Sequence, residues 1–219
     1  MGESDDGNID DPQSRWLEAQ LDAADSAGKL VVVFGHHPIR TLTANVPDEA
    51  ASPCTTEDSH GHDVSPGCDL DPRPSAPLHL GDDLVQLLSA HPRVVVYVAG
   101  HTHENEIRPC GRTAAEGGCP PGGNWWEINT SATADWPQQH RLIELMDNRD
   151  GTLSIFATVL DHGAKESIPP SGSSTFSDEE LASIGRNFSW NDPQSQRFAG
   201  TEGEVGDRNV GLLVGDPRR

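Results

Sequence analysis

Two short apolar runs, Leu30–Phe34 and Val94–Ala99, each stop at a glycine followed by a histidine: Gly35-His36-His37-Pro38 and Gly100-His101-Thr102-His103. β-Branched runs this short, bounded by turn residues, are expected to be strands buried on both faces of a sheet. Between them, Asp82–Ala90 places Leu84, Val85, Leu87 and Leu88 at helical spacing, and His91-Pro92 ends the pattern. Strand, helix, strand is the order of a βαβ unit. Its right-handed crossover sets the carboxyl ends of neighbouring parallel strands side by side, so the two histidine clusters are expected to meet. The fold class that follows is α/β.

A helix is expected ahead of the first strand. Asp11-Pro12 is a helix start, Trp16, Leu17, Leu21 and Ala24 recur at helical spacing, and Gly28 can take the left-handed conformation that ends a helix. Downstream, Trp125–Asn129, Arg141–Met146 and Thr152–Leu160 read as strands, the last two joined through the turn Asp147-Asn148-Arg149-Asp150-Gly151. Ser177 and Glu180 form a capping box that opens a helix through Ile184, and Val210–Val214 offers one more strand. The implied organisation is a disordered N-terminus over 1–10, a domain over 11–165 carrying a loop insertion at 41–80, and a C-terminal helix with a polar tail over 166–219.

The 219 residues carry 35 acidic against 15 basic side chains, a net charge of −20 that repels phosphate backbones and anionic lipid. Nucleic acid and membrane surfaces are therefore not expected partners. No run reaches the roughly 20 apolar residues of a membrane span, and the acidic first residues are unlike a signal peptide. With 22 Gly and 17 Pro and only 34% hydrophobic residues, long irregular excursions are expected. The four cysteines fall into local pairs, Cys54 with Cys68 and Cys110 with Cys119. Two loop-closing disulfides and an extracytoplasmic, oxidising compartment are the reading this favours. The rival is a zinc site made of Cys54, His60, His62 and Cys68.

Of the ten histidines, His79, His91, His140 and His162 stand in polar or turn contexts that suit solvated or capping roles. His36, His101 and His103 each follow an apolar strand and a glycine, and neutral imidazole is a ligand for zinc, iron and manganese. The alternative is that these rings cap strand ends and hydrogen-bond to loops.

Taken together and in this order, Gly35-His36-His37-Pro38 and Gly100-His101-Thr102-His103 resemble the Gly-His-His-Pro and Gly-His-x-His motifs of the calcineurin-like metallophosphoesterases. The helix around Arg15-Trp16-Leu17-Glu18-Ala19-Gln20-Leu21 also resembles the family, and the block from Trp126-Glu127-Ile128-Asn129 to Asp135-Trp136-Pro137-Gln138-Gln139 is similar to a bacterial subgroup. The resemblance spans about residues 11–190 and implies a phosphoric-ester hydrolase with two metal ions, of iron, zinc or manganese. It implies that His36 and His101 bind one metal and His103 the other, with His37 beside them rather than a ligand. The family's fold is a four-layer α/β/β/α sandwich.

The family's earlier motifs, Asp-x-His, Gly-Asp-x-x-Asp and Gly-Asn-His-Asp/Glu, have no counterpart before Trp16, so the chain reads as the C-terminal half of that sandwich. Gly81-Asp82-Asp83 lies between the two histidine motifs, out of order, and is read as a helix cap. The expected partners are a small phosphate-ester substrate and the missing N-terminal half, and an isolated chain with unpaired sheet edges is expected to be poorly soluble.

Overall fold

The computed structural model describes residues 6–45, 77–165, 175–192 and 200–219. Its architecture is mixed α/β with two sheets. The first segment is α1 (Asp11–Ala27), where Asp10 rather than Asp11 caps the helix by accepting from Gln13 N, and Gly28 closes it at φ 66°. Of the first ten residues, expected to be disordered, 6–10 are described and make backbone bonds: Gly7 N donates to Thr41 O, and Ile9 forms a two-residue antiparallel bridge with His79. The bridge and the Gly7–Thr41 bond tie the two ends of the 41–80 insertion to the N-terminal segment, and residues 46–76 of the insertion, with Cys54, His60, His62 and Cys68, lie outside the described residues.

The strand β1 (Val31–Phe34), the helix α2 (Gly81–Ala90) and the strand β2 (Val94–Ala99) form the expected βαβ unit, with β1 and β2 parallel. Asp83, three residues into the α2 sequence, accepts from Leu80 N at 2.9 Å, which is the capping role read from Gly81-Asp82-Asp83. A short strand β3 (Glu106–Pro109) and the strand β4 (Trp126–Asn129) complete the first sheet in the order β1-β2-β4-β3. The second sheet is an antiparallel meander of β5 (Gln139–Asp147), β6 (Thr152–Asp161) and β7 (Val210–Gly215). The helix α3 (Asp178–Asn191) opens on the Ser177–Glu180 capping box and runs seven residues past Ile184.

β2 and β4 are buried because they lie between two cores. Tyr97 and Ala99 face Leu21, Leu84, Val85 and Leu88 of the helices. Val96, Val98 and Ile128 face Leu153, Ile155 and Ala157 of β6 and Leu212 and Val214 of β7. The described layers thus run helices, sheet, sheet, and period-2 alternation on β6 puts Leu153, Ile155 and Ala157 inward.

β1 is not the doubly buried strand its apolar run suggested. It forms an edge of the first sheet, its burial alternates, and Phe34 is 74% exposed. A groove of 560 Å³ runs along it between Trp16 and Gln20 of α1 and Val32, Phe34, His36 and His37. The sequence pattern reports the apolar surface correctly, but a strand is doubly buried only when something packs on both sides.

Cys110 and Cys119 form a disulfide, with Cα atoms 5.1 Å apart. No helix among the described residues is long and apolar enough to cross a membrane.

Candidate metal centre

The two strand–glycine–histidine junctions are held side by side by continuation of the parallel ladder. Gly35 N donates to Val98 O at 2.9 Å, and Gly100 N donates to His36 O at 3.0 Å, one step beyond the last residues of β1 and β2. This register brings His36 Nε2 and His101 Nδ1 within 3.0 Å of each other. The His37 ring lies 4.0 Å from the His101 ring, centroid to centroid, and edge-on to His36 at 5.1 Å. One ring nitrogen from each of His36, His37 and His101 falls within 4.8 Å of the other two.

His103 is directed elsewhere: its Nδ1 lies 3.0 Å from Asp135 Oδ2. Thr102, between the two motif histidines, turns inward and accepts from the buried Asn129 Nδ2 at 2.6 Å. His101 and His103 both adopt left-handed backbone conformations, at φ 54° and 58°. Non-glycine residues rarely do so, and the conformation persists where surrounding structure imposes it. The sharp turn therefore falls on the histidines themselves, not on Gly100.

The loop bearing His36 and His37 is fixed from below. Tyr97 donates its hydroxyl hydrogen to His37 O at 2.7 Å, and Glu127 Oε1 accepts from Ile39 N at 2.8 Å. A Cβ on Gly35 would stand 2.2 Å from Tyr97 Oη, so the motif glycine leaves room for that hydroxyl. Burial, and then the charge of Glu127, push the Tyr97 hydroxyl well above its usual range, which keeps it a donor. Arg40 ties this loop to the one after His103, pairing with Glu104 and with Glu106 at 3.1 Å.

The trio has the chemistry a metal requires. Burial first, then the neighbouring His101 and His36, lower the His37 pKa, holding the ring in the neutral form that has a lone pair to give. Zinc–nitrogen bonds of about 2.0–2.1 Å imply tetrahedral nitrogen separations of about 3.4 Å. The 3.0 Å pair is already near that value, and one ring nitrogen of each of the three lies within 4.8 Å of the others. The residues present thus fit one borderline transition-metal ion.

Elsewhere, His91 Nδ1 lies 2.8 Å from Asp25, His79 Nε2 3.5 Å from Asp11, and His162 Nδ1 accepts from Ala164 N. The pairing of His103 with Asp135 and the buried supports Tyr97 and Glu127 were not read from the sequence. The signal that could have found Glu127 is the alternation of polar with apolar residues in Trp126-Glu127-Ile128-Asn129, which puts Glu127 and Asn129 on one side of a strand.

No protein-family model matches the chain, and no curated protein matches it. Among solved structures it is similar to a dimetal phosphatase from Danio rerio, with 17% identity and a TM-score of 0.37. The match covers 68% of this chain and 35% of that one, so the chain spans about a third of its neighbour's length.

Proposed function

We propose that this chain is the histidine-bearing part of a metal-dependent phosphoric-ester hydrolase of the calcineurin-like metallophosphoesterase type. The observation that carries the reading is the convergence of Gly35-His36-His37-Pro38 and Gly100-His101-Thr102-His103 at the carboxyl ends of adjacent parallel strands. Its helix–sheet–sheet stack is then part of a four-layer α/β/β/α sandwich. In this reading His36 and His101 hold one ion and His103 a second, and the ions are zinc, iron or manganese.

Two such ions lower the pKa of water and neutralise charge gathering on phosphoryl oxygens. This chain's part is to present imidazoles on a rigid base. His36 and His101 face each other at 3.0 Å, Asp135 fixes the His103 ring from its Nδ1 side, and the Arg40 pairs hold both loops in one frame. The trio itself offers no carboxylate, so in this reading the carboxylates that balance two dications come from residues outside it. In this reading a further segment adds at the sheet edge that β1 forms among the described residues and at its apolar groove, which ends at His36 and His37. A small phosphate ester is the substrate, and the Cys110–Cys119 disulfide favours an oxidising compartment.

The closeness of His37 to His36 and His101 favours a second reading, a single-ion site made by these three rings with no hydrolytic role. Titration with zinc or manganese, followed by assay on an aryl phosphate diester with and without the upstream polypeptide, separates the two. Turnover that appears with both metal and that polypeptide, and vanishes in His101→Ala, supports the hydrolase. Metal uptake without turnover under every combination supports the single-ion site, and turnover indifferent to His101→Ala refutes both.

A further inference from the structure

We infer that Tyr97 and Glu127 are positioning residues, a buried two-point clamp on the His37–Ile39 backbone that sets the convergence of His36, His37 and His101. The functional consequence rests on reading the trio as a metal site; the clamp itself does not.

The two side chains come from neighbouring strands, Tyr97 from β2 and Glu127 from β4, and are direct cross-strand partners in the parallel register. Both are almost wholly buried, at 4% and 3% exposure. They reach the same short loop from one side: the Tyr97 hydroxyl bonds His37 O, and two residues on Glu127 Oε1 takes Ile39 N. Pro38 between them has no N–H to give, and with Thr41 N to Pro38 O and Leu42 N to Ile39 O these bonds pair the polar backbone groups from His37 O to Ile39 O.

The space around the clamp is filled to the point that only glycine fits at three places. A Cβ on Gly35 would meet Tyr97 Oη at 2.2 Å, one on Gly81 would meet Ile39 O at 2.4 Å, and one on Gly111 would meet Ile39 Cδ1 at 2.5 Å and Glu127 Oε2 at 3.2 Å. Ile39 is thereby gripped by α2, by the loop after β3 and by β4 at once. A loop so held cannot drift, so the rings it carries start from one arrangement. A carboxyl group buried to this degree is costly unless it is hydrogen-bonded, and Ile39 N is the backbone donor that meets it.

The experiment uses Tyr97→Phe, Glu127→Gln and Glu127→Leu in the whole chain. Two readouts are taken: zinc affinity by calorimetry, and the imidazole 15N and 1H resonances of His36, His37 and His101 in metal-free protein. Losing a support of this kind lowers metal affinity about 10–100-fold. Tyr97→Phe and Glu127→Leu are expected to weaken zinc binding by at least about tenfold and to shift or broaden the ring resonances. Glu127→Gln, whose amide oxygen still accepts from Ile39 N, is expected to remain near the parent in both readouts. Ring resonances and zinc affinity unchanged in Tyr97→Phe and Glu127→Leu would overturn the clamp, as would Glu127→Gln behaving like Glu127→Leu. Should Glu127→Leu fail to fold, the near-isosteric Tyr97→Phe decides. If the parent itself takes up no zinc, the metal reading falls while the ring resonances still judge the clamp.

Discussion

Replacing Gly35 by alanine should be costly for a reason that lies across the sheet. No left-handed backbone angle stands in the way at this position, so the penalty is purely steric: the new methyl carbon would lie 2.2 Å from Tyr97 Oη, 2.9 Å from Cζ and 3.1 Å from Cε2. Tyr97 is packed against α1 and α2 and cannot swing out. Relief needs a shift of about 1 Å, and overpacking of this kind costs about 1–3 kcal/mol. The shift also strains the bond from Tyr97 to His37 O, worth about 1 kcal/mol. The sum, about 2–4 kcal/mol, corresponds to a melting temperature lower by about 4–16 °C for a chain of this size. In a Tyr97→Phe background the closest contact is gone, so Gly35→Ala should cost visibly less there. Thermal unfolding of the four proteins at neutral pH gives a double-mutant cycle, and a coupling of about 0.5–3 kcal/mol is expected for groups in contact. Costs that add to within about 0.5 kcal/mol would refute the assignment of the motif glycine to the Tyr97 hydroxyl.

Burial raises the pKa of Glu127, against the opposing effect of its bond from Ile39 N. The folded state therefore holds this proton to higher pH than the unfolded chain, and stability from this group is greatest below its ordinary pKa of 4.5 and falls as pH rises through the raised value. Glu127→Gln should flatten that fall in melting temperature; a parallel pH profile in the two proteins would contradict it. The Cys110–Cys119 disulfide spans nine residues, and removing it as a double alanine variant should cost about 2–3 kcal/mol in denaturant unfolding, a loss below about 0.5 kcal/mol counting against a stabilising role. Phe34, exposed on β1, which forms a sheet edge among the described residues, should drive self-association. Phe34→Lys should reduce the sedimenting aggregate without lowering the melting temperature, and equal aggregation in both would move the sticky surface elsewhere.

The parts of this fold visible in the sequence are those with a strong local signal. The βαβ unit was legible because Val94–Ala99 is apolar on both faces and flanked by punctuating residues, and because α2 has a one-sided apolar face. β3 was not, since Glu-Ile-Arg-Pro has one aliphatic side chain to show; it is a strand because β4 offers it an edge, and Pro109 at its end tolerates the missing donor. α3 runs past its expected end at Ile184 and on through Gly185, and Trp190 near its far end meets Trp136 edge-on, ring centroids 4.6 Å apart. At the site, strand-end glycines marked His36 and His101, and parallel pairing then had to bring them together. Which of His37 and His103 stands beside them depends on the backbone turn at residues 101–103 and on Asp135, more than thirty residues away in sequence, and no local pattern encodes that. The same holds for Tyr97 and Glu127, whose roles exist only once β2 and β4 are paired.

The most direct test of the central claim is anomalous X-ray diffraction from crystals of the chain soaked in zinc. The account expects a zinc peak between the His36 and His101 rings, with nitrogen ligands at about 2.0–2.1 Å, lost in crystals of His101→Ala. Well-ordered His36 and His101 rings with no zinc between them at saturating metal would contradict it.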